Sequence, residues 1–266
     1  MQGTPGSVQS LDGTRIGYVT GGSGSPLLLV HGGMCSSRRW EPLWRELVNR
    51  FEVTAMDRRG RGRSGDADLY AIGVEYDDVR AVAERLAHRH AGPVDVFGHS
   101  YGALCALGSA AAGAPVRRLV LFEPPGPGTV TPEWVDRMRG LVARRELGRA
   151  MVGFLVEVVG LTHEQVQALR DRPGGEDPLP VVERTLVREA EAILRMDLAG
   201  LATLVDPPAL LLLGTQSPPW AGSVTRELAA ALPAAEVVEL PGLSHEAVDT
   251  APDVVAGLLR DFLLRA

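Results

Sequence analysis

A doubly wound α/β fold is predicted, with a mostly parallel, eight-stranded sheet covered by helices on both faces. Two patterns point to it. Short continuous apolar runs, such as PLLLV at 26–30 and RLVLF at 118–122, recur along the 266 residues and read as strands buried on both sides. Between them lie segments with apolar residues at helical spacing. A third observation refines the class. From 126 to about 205 the strand runs stop while helical periodicity continues, so a helical block is expected inside the α/β chain.

Taken in order, Ser7 to Leu11 and Arg15 to Thr20 flank Asp12-Gly13, a hairpin signal. A glycine-rich turn at 21–25 leads into the strand at 26–30. Ser37 to Asn49 carries apolar residues at 40, 43, 44, 47 and 48 and reads as helix. Phe51 to Met56 is the next strand. Glu75 to His90 places Val79, Val82, Ala83 and Leu86 on one helical face. Val94 to Phe97 is a strand, followed by the turn GHSYG at 98–102 and a helix from Ala103. Arg118 to Phe122 is a strand ending at Glu123.

Helices are expected over Trp134–Arg145, Gly148–Val159, Glu164–Arg170 and Val181–Arg195, with a loop at Pro173–Pro180. Strands resume at Pro207–Leu213 and Glu236–Leu240, separated by a helix over Ala221–Ala231. Pro252 opens a last amphipathic helix. The predicted division is an α/β core over 1–124 and 206–266 with a helical cap over 125–205, seated at the carboxyl ends of the strands, where open α/β sheets bind ligands.

Composition narrows the chemistry. Hydrophobic residues make up 45%, and the net charge is −6 with both signs scattered, so no nucleic-acid footprint is present. All 27 basic residues are Arg. The absence of Lys excludes a Schiff-base lysine, pyridoxal-phosphate attachment and a P-loop lysine. Two cysteines, Cys35 and Cys105, form no C-x-x-C and are expected as reduced thiols. The N-terminus lacks a basic stretch followed by an apolar one, and no apolar run nears membrane-spanning length. A cytoplasmic protein is expected, with a small-molecule substrate and neither a membrane nor a nucleic-acid partner; the oligomeric state is open.

The strand–turn–helix around GHSYG is the setting that G-x-S-x-G needs. A sharp turn there strains Ser100, leaves no room for side chains at 98 and 102, and holds the hydroxyl over a helix N-terminus. Ser100 is the candidate nucleophile. The other candidates also follow strands: His31 to Met34, Glu123 and His245. Their order along the chain, nucleophile, acid, histidine, is that of α/β-hydrolases.

With HGG at 31–33, DRRGRGRS at 57–64, GHSYG at 98–102, FEPP at 122–125 and GLSH at 242–245, the chain resembles the α/β-hydrolase superfamily over essentially its full length. The resemblance implies that Ser100 attacks a substrate carbonyl and that His245 takes its proton. It also implies an oxyanion hole made of the backbone N–H of Tyr101 and that of Gly33, with Met34 next, and it implies no cofactor and no metal. One departure stands out. Most relatives carry an Asp three residues beyond a glycine after the penultimate strand, where this chain has Ser217, and no carboxylate occurs between Asp206 and Glu227. Glu123 is therefore assigned as the acid, a place some relatives such as certain lactonases use, with Asp249 as the alternative.

Other signals carry less. G-R-G-R-S-G at 60–65 matches G-x-G-x-x-G, but no helix start follows, so a turn is expected rather than a dinucleotide site. His88 and His90 are two apart on a helix and face different ways, which suits solvent better than a metal. His31 and His99 are expected to be structural, with His31 also placed to touch the active-site pocket, and His163 is expected at the surface. His31, Trp134, Met138 and Trp220 are expected near the substrate, with Met151 and Phe154 as further pocket or packing residues. The function expected is a serine hydrolase (esterase or lactonase type) acting on an ester, lactone or thioester of a small apolar molecule. Rival readings are carbon–carbon bond hydrolysis, acyl transfer and cofactor-free haloperoxidase chemistry on the same triad, or a binding protein without catalysis.

Overall fold

The computed structural model describes residues 2–170 and 177–265. Part of the loop expected at 173–180 thus lies outside the described residues. One sheet of eight strands forms the centre: β1 (Thr4–Gln9), β2 (Arg15–Gly22), β3 (Ser25–Val30), β4 (Phe51–Met56), β5 (Val94–His99), β6 (Val116–Phe122), β7 (Ala209–Gly214) and β8 (Ala235–Leu240), in the order β1-β2-β4-β3-β5-β6-β7-β8. β2 runs antiparallel to both neighbours, and every pairing from β4 to β8 is parallel. The predicted hairpin is present. Gly13 takes a positive φ, and the Thr14 N–H donates to Asp12 Oδ1 across the turn.

A 3-10 turn (Ser37–Trp40), α1 (Glu41–Leu47), α2 (Ile72–His90), α3 (Tyr101–Ala111), α9 (Pro219–Ala231) and α11 (Pro252–Leu263) surround the sheet, with a helical turn, α10 (Ala247–Thr250), before α11. Between β6 and β7 come α4 (Pro132–Ala143), α5 (Leu147–Glu157), α6 (His163–Arg170), α7 (Leu179–Leu194) and α8 (Leu198–Ala202). Pro180 lies inside α7 rather than in a loop, at a first-turn position where its missing N–H costs nothing. The short α8 lies outside the predicted elements because five residues hold too little periodicity to register.

Period two along the strands explains the double cover. Leu28, Val30, Val96 and Leu121 face one apolar cluster with residues of α2 and α3, while Leu27, Leu29, Phe97 and Phe122 face another with residues of α1 and α11. Both faces are dry, so the strands read as unbroken apolar runs. The strand ends at Val30, His99, Phe122, Gly214 and Leu240 lie along the carboxyl edge of the parallel strands. No helix among the described residues is long and apolar enough to cross a membrane.

Candidate active site

Ser100 sits between β5 and α3 with φ 54° and ψ −129°, a strained conformation for a residue with a side chain. The glycines beside it are sterically required. A Cβ at Gly98 would lie 2.5 Å from Ala103 Cα, and one at Gly102 would lie 2.2 Å from the Val30 carbonyl oxygen. The Ser100 N–H donates to the Phe122 carbonyl at 2.8 Å, which ties the turn to the end of β6.

Glu123 follows β6, fully buried, with a positive φ of 46°. Its Oε2 accepts from His245 Nδ1 at 2.5 Å. Its Oε1 accepts from the Gly214 N–H at 2.7 Å and from Ser217 Oγ at 2.6 Å. Three donors therefore hold one buried carboxylate, which offsets the cost of removing it from water. Asp249 is engaged elsewhere, 2.8 Å from Arg39 Nη2, which also lies 3.1 Å from Glu246 Oε2. Burial raises the Glu246 pKa, but Arg39, together with His245 and Asp249, holds the group below its usual range.

The His245 ring is fixed from several sides. The Trp220 ring meets it edge-on with centroids 5.5 Å apart, and the His99 ring lies 4.6 Å away. His99 Nε2 bonds the His245 carbonyl at 3.0 Å. Burial, then the charge of His245, pushes the His99 pKa well down, so His99 is neutral and serves as a spacer under the loop.

Ser100 and His245 line one cavity together with Gly33, Met34 and Tyr101. Met34 has a positive φ of 54°. The remaining wall is mainly apolar, with Trp134 from α4, Phe154 from α5 and Leu186 and Ile193 from α7 closing the space over the sheet edge. The cavity leaves ≈ 30 Å³ for the centre of a water-sized sphere.

Residues 27–258 match the model of the alpha/beta hydrolase family. The chain belongs to that family. A solved alpha/beta hydrolase from Sphaerobacter thermophilus is 33% identical, with a TM-score of 0.83 over 97% of this chain and 100% of that one. The 2-(acetamidomethylene)succinate hydrolase of Mesorhizobium japonicum is 26% identical over 91% of this chain and 89% of its own. The N-formylmaleamate deformylase of Pseudomonas putida is 36% identical over 141 residues, 49% of this chain and 52% of its own.

Two residues expected near the substrate, His31 and Met138, are not among those that line the cavity. His31 is fully buried behind the loop at 32–34 with both ring nitrogens engaged. Its Nδ1–H donates to the Gly32 carbonyl at 2.9 Å, and its Nε2 accepts the Arg58 N–H at 3.1 Å. Burial, followed by the charges of Arg61 and Arg58, pushes its pKa well below the usual value. Met138 is 1% exposed and packs in the main apolar cluster, on the buried face of α4. Trp134 and Trp220 do line the cavity. Trp220 Nε1 donates to the Val158 carbonyl at 2.8 Å.

The stretch at 57–64 is a turn, as expected. Asp57 accepts the N–H groups of Ser37 at 2.7 Å and Arg63 at 2.9 Å and so closes the loop. Three of its arginines, Arg58, Arg59 and Arg61, point inward, while Arg63 is exposed. Arg58 is fully buried against Glu75 and Glu189, each at 2.7 Å, and Arg59 against Asp78. Burial would raise the Glu75 pKa, but Arg58, joined by Arg61 and Tyr70, outweighs it and holds the carboxyl at about 2.

Glu189, which lines the cavity, is not among the residues expected there. A signal for it exists in the sequence. Val182, Leu186, Glu189 and Ile193 follow the 4-3-4 spacing of one helical face, and a single carboxylate on an apolar stripe needs a buried partner.

Proposed function

We propose that this hydrolase cleaves a carboxylic ester, lactone or thioester of a small, mostly apolar molecule through an acyl-enzyme on Ser100. The carrying observation is the Ser100 elbow sharing one cavity with a His245 whose Nδ1 is held by buried Glu123. In this reading Ser100 Oγ attacks the carbonyl carbon and its proton passes to His245 Nε2. Glu123 keeps Nδ1 protonated and stabilises the imidazolium. The backbone N–H groups of Tyr101 and of Gly33 or Met34 receive the oxyanion. Collapse expels the alcohol or thiol with the proton from His245, and water repeats the sequence to free Ser100. No cofactor enters these steps.

The boundaries read from sequence fit this use, with 125–205 as a cap on a core of 1–124 and 206–266. Support comes from the α4, α5 and α7 residues that close the cavity. The names of the Mesorhizobium and Pseudomonas relatives carry a succinate and a maleamate. In this chain the lining residues include no Arg, and the chain has no Lys, which favours a neutral substrate.

A fluorophosphonate probe tests the reading. Wild type is expected to be labelled and Ser100→Ala unlabelled, with hydrolysis of p-nitrophenyl butyrate lost in parallel. An unlabelled wild type that leaves the ester intact refutes it.

A further inference from the structure

Glu189 is oddly placed for a cavity otherwise walled by apolar groups. Its side chain is 7% exposed, and Oε1 is doubly occupied, by Arg58 Nη2 at 2.7 Å and by Arg61 Nη2. Oε2 receives no hydrogen bond from any described residue. It lies beside the oxyanion-side loop, where a Cβ placed on Gly33 would be 3.3 Å from it. With two guanidinium groups fixing its twin oxygen, this acceptor is held in place and lacks a protein donor.

Charge makes the position selective. Arg58 and Arg61 stand behind the carboxylate with no side-chain exposure, and Glu75 takes the other side of Arg58. Two cations and two anions therefore balance, and the member that faces the substrate space is the anion. A second carboxylate entering there would meet Glu189 at close range in a dry site, where like charges repel strongly. A hydroxyl or N–H would supply the missing donor.

On the basis of the proposed ester-cleaving reading, we infer that Glu189 is a specificity-determining residue. Its Oε2 accepts a hydrogen bond from a neutral donor, a hydroxyl or an N–H, carried on the acyl chain near the scissile carbonyl, and its charge excludes acyl groups that bear a carboxylate there. The substrate class is thus a small hydroxy- or amino-acyl ester or lactone.

The experiment compares kcat/KM for the p-nitrophenyl esters of butyrate, 3-hydroxybutyrate and hemisuccinate. Wild type is expected to favour 3-hydroxybutyrate over butyrate by about ten-fold or more, and to cleave hemisuccinate slowest. In Glu189→Gln the amide oxygen stays on the arginines and the NH2 turns to the cavity. The hemisuccinate-to-butyrate ratio then rises about ten-fold or more, because one buried cation is left unbalanced, while the substrate hydroxyl, able to accept from the NH2, keeps part of its preference. Wild type that cleaves hemisuccinate as well as butyrate overturns the inference without recourse to a variant, as do substrate ratios that are equal in both proteins. Butyrate hydrolysis and Ser100 labelling separate the two levels. With both intact and the ratios unmoved, only the role of Glu189 fails; with both absent, the ester-cleaving reading falls and takes this role with it.

Discussion

Ser217 Oγ donates to Glu123 Oε1 at 2.6 Å. Ser217 stands where most relatives were expected to carry the acid, so the loop that lacks the carboxylate supports the one that follows β6. Removing the hydroxyl takes one of three donors from a buried carboxylate. Ser217→Ala is expected to lower kcat/KM for p-nitrophenyl butyrate by about ten-fold, in keeping with one hydrogen bond to a charged group. A variant as active as wild type would show that two donors suffice.

Glu123→Gln leaves His245 without an anionic partner, and the amide can present an N–H to Nδ1 and favour the wrong tautomer. Turnover is expected to fall by about 10³–10⁴-fold. Asp249→Asn, which touches Arg39 rather than His245, is expected to stay within a few-fold of wild type. Adding Ser217→Asp to Glu123→Gln is expected to restore part of the lost rate, because position 217 already reaches the Glu123 carboxylate. Steady-state kinetics on the four proteins decide this.

Arg58→Met would leave Glu75 and Glu189 without their shared cation in a dry site. Uncompensated buried charge costs about 3–5 kcal/mol. Denaturant unfolding should show a loss of that size, and a loss below about 1 kcal/mol would mean that Arg61 carries the pairing alone.

Stability should depend on pH through two buried histidines. His31 and His99 have folded pKa values pushed well below the ordinary 6.5 by burial, then by neighbouring positive charge. Below 6.5 the unfolded chain binds protons that the folded chain does not. Their contribution is therefore complete above that pH and is lost as pH falls through it. Each histidine should cost about 1.4 kcal/mol per pH unit in that range. Thermal unfolding from pH 7.5 to 5 should show a falling midpoint, and a flat profile would contradict it.

Gly102→Ala is expected to abolish soluble expression or lower stability by about 3 kcal/mol or more, since the added Cβ would lie 2.2 Å from the Val30 carbonyl oxygen. Gly92→Ala, where a Cβ meets nothing within 4 Å, is the control. Equal thermal midpoints for the two would refute the steric reading of the elbow.

Much of the fold was legible because its signals are local. Continuous apolar runs marked β3, β5, β6 and β7, since both faces of these strands are dry. The elbow was legible because Gly98 and Gly102 answer to contacts made within a few residues or with the adjacent β3. His31 was placed near the substrate by its position after β3, beside its structural reading, and Met138 as an apolar residue of the helical block. The structure puts His31 behind its loop, bonded to Arg58, and turns Met138 inward. Glu189 was overlooked because its partners lie 131 and 128 residues away.

The sequence by itself determined the alternation of strands and helices, the strained turn at Ser100, the histidine after the last strand and the absence of a carboxylate after β7. Each of these is written in a short window by periodicity, by glycine spacing or by a missing residue type. Only the tertiary structure decided which carboxylate meets His245 and what faces the substrate space. The pairing of Phe122 with Leu212 sets Glu123 beside Gly214 and Ser217, and strand order brings His245 to the same edge. The packing of α7 against the buried arginines turns Glu189 toward Gly33. Such meetings depend on register and packing between distant segments, which no local window contains.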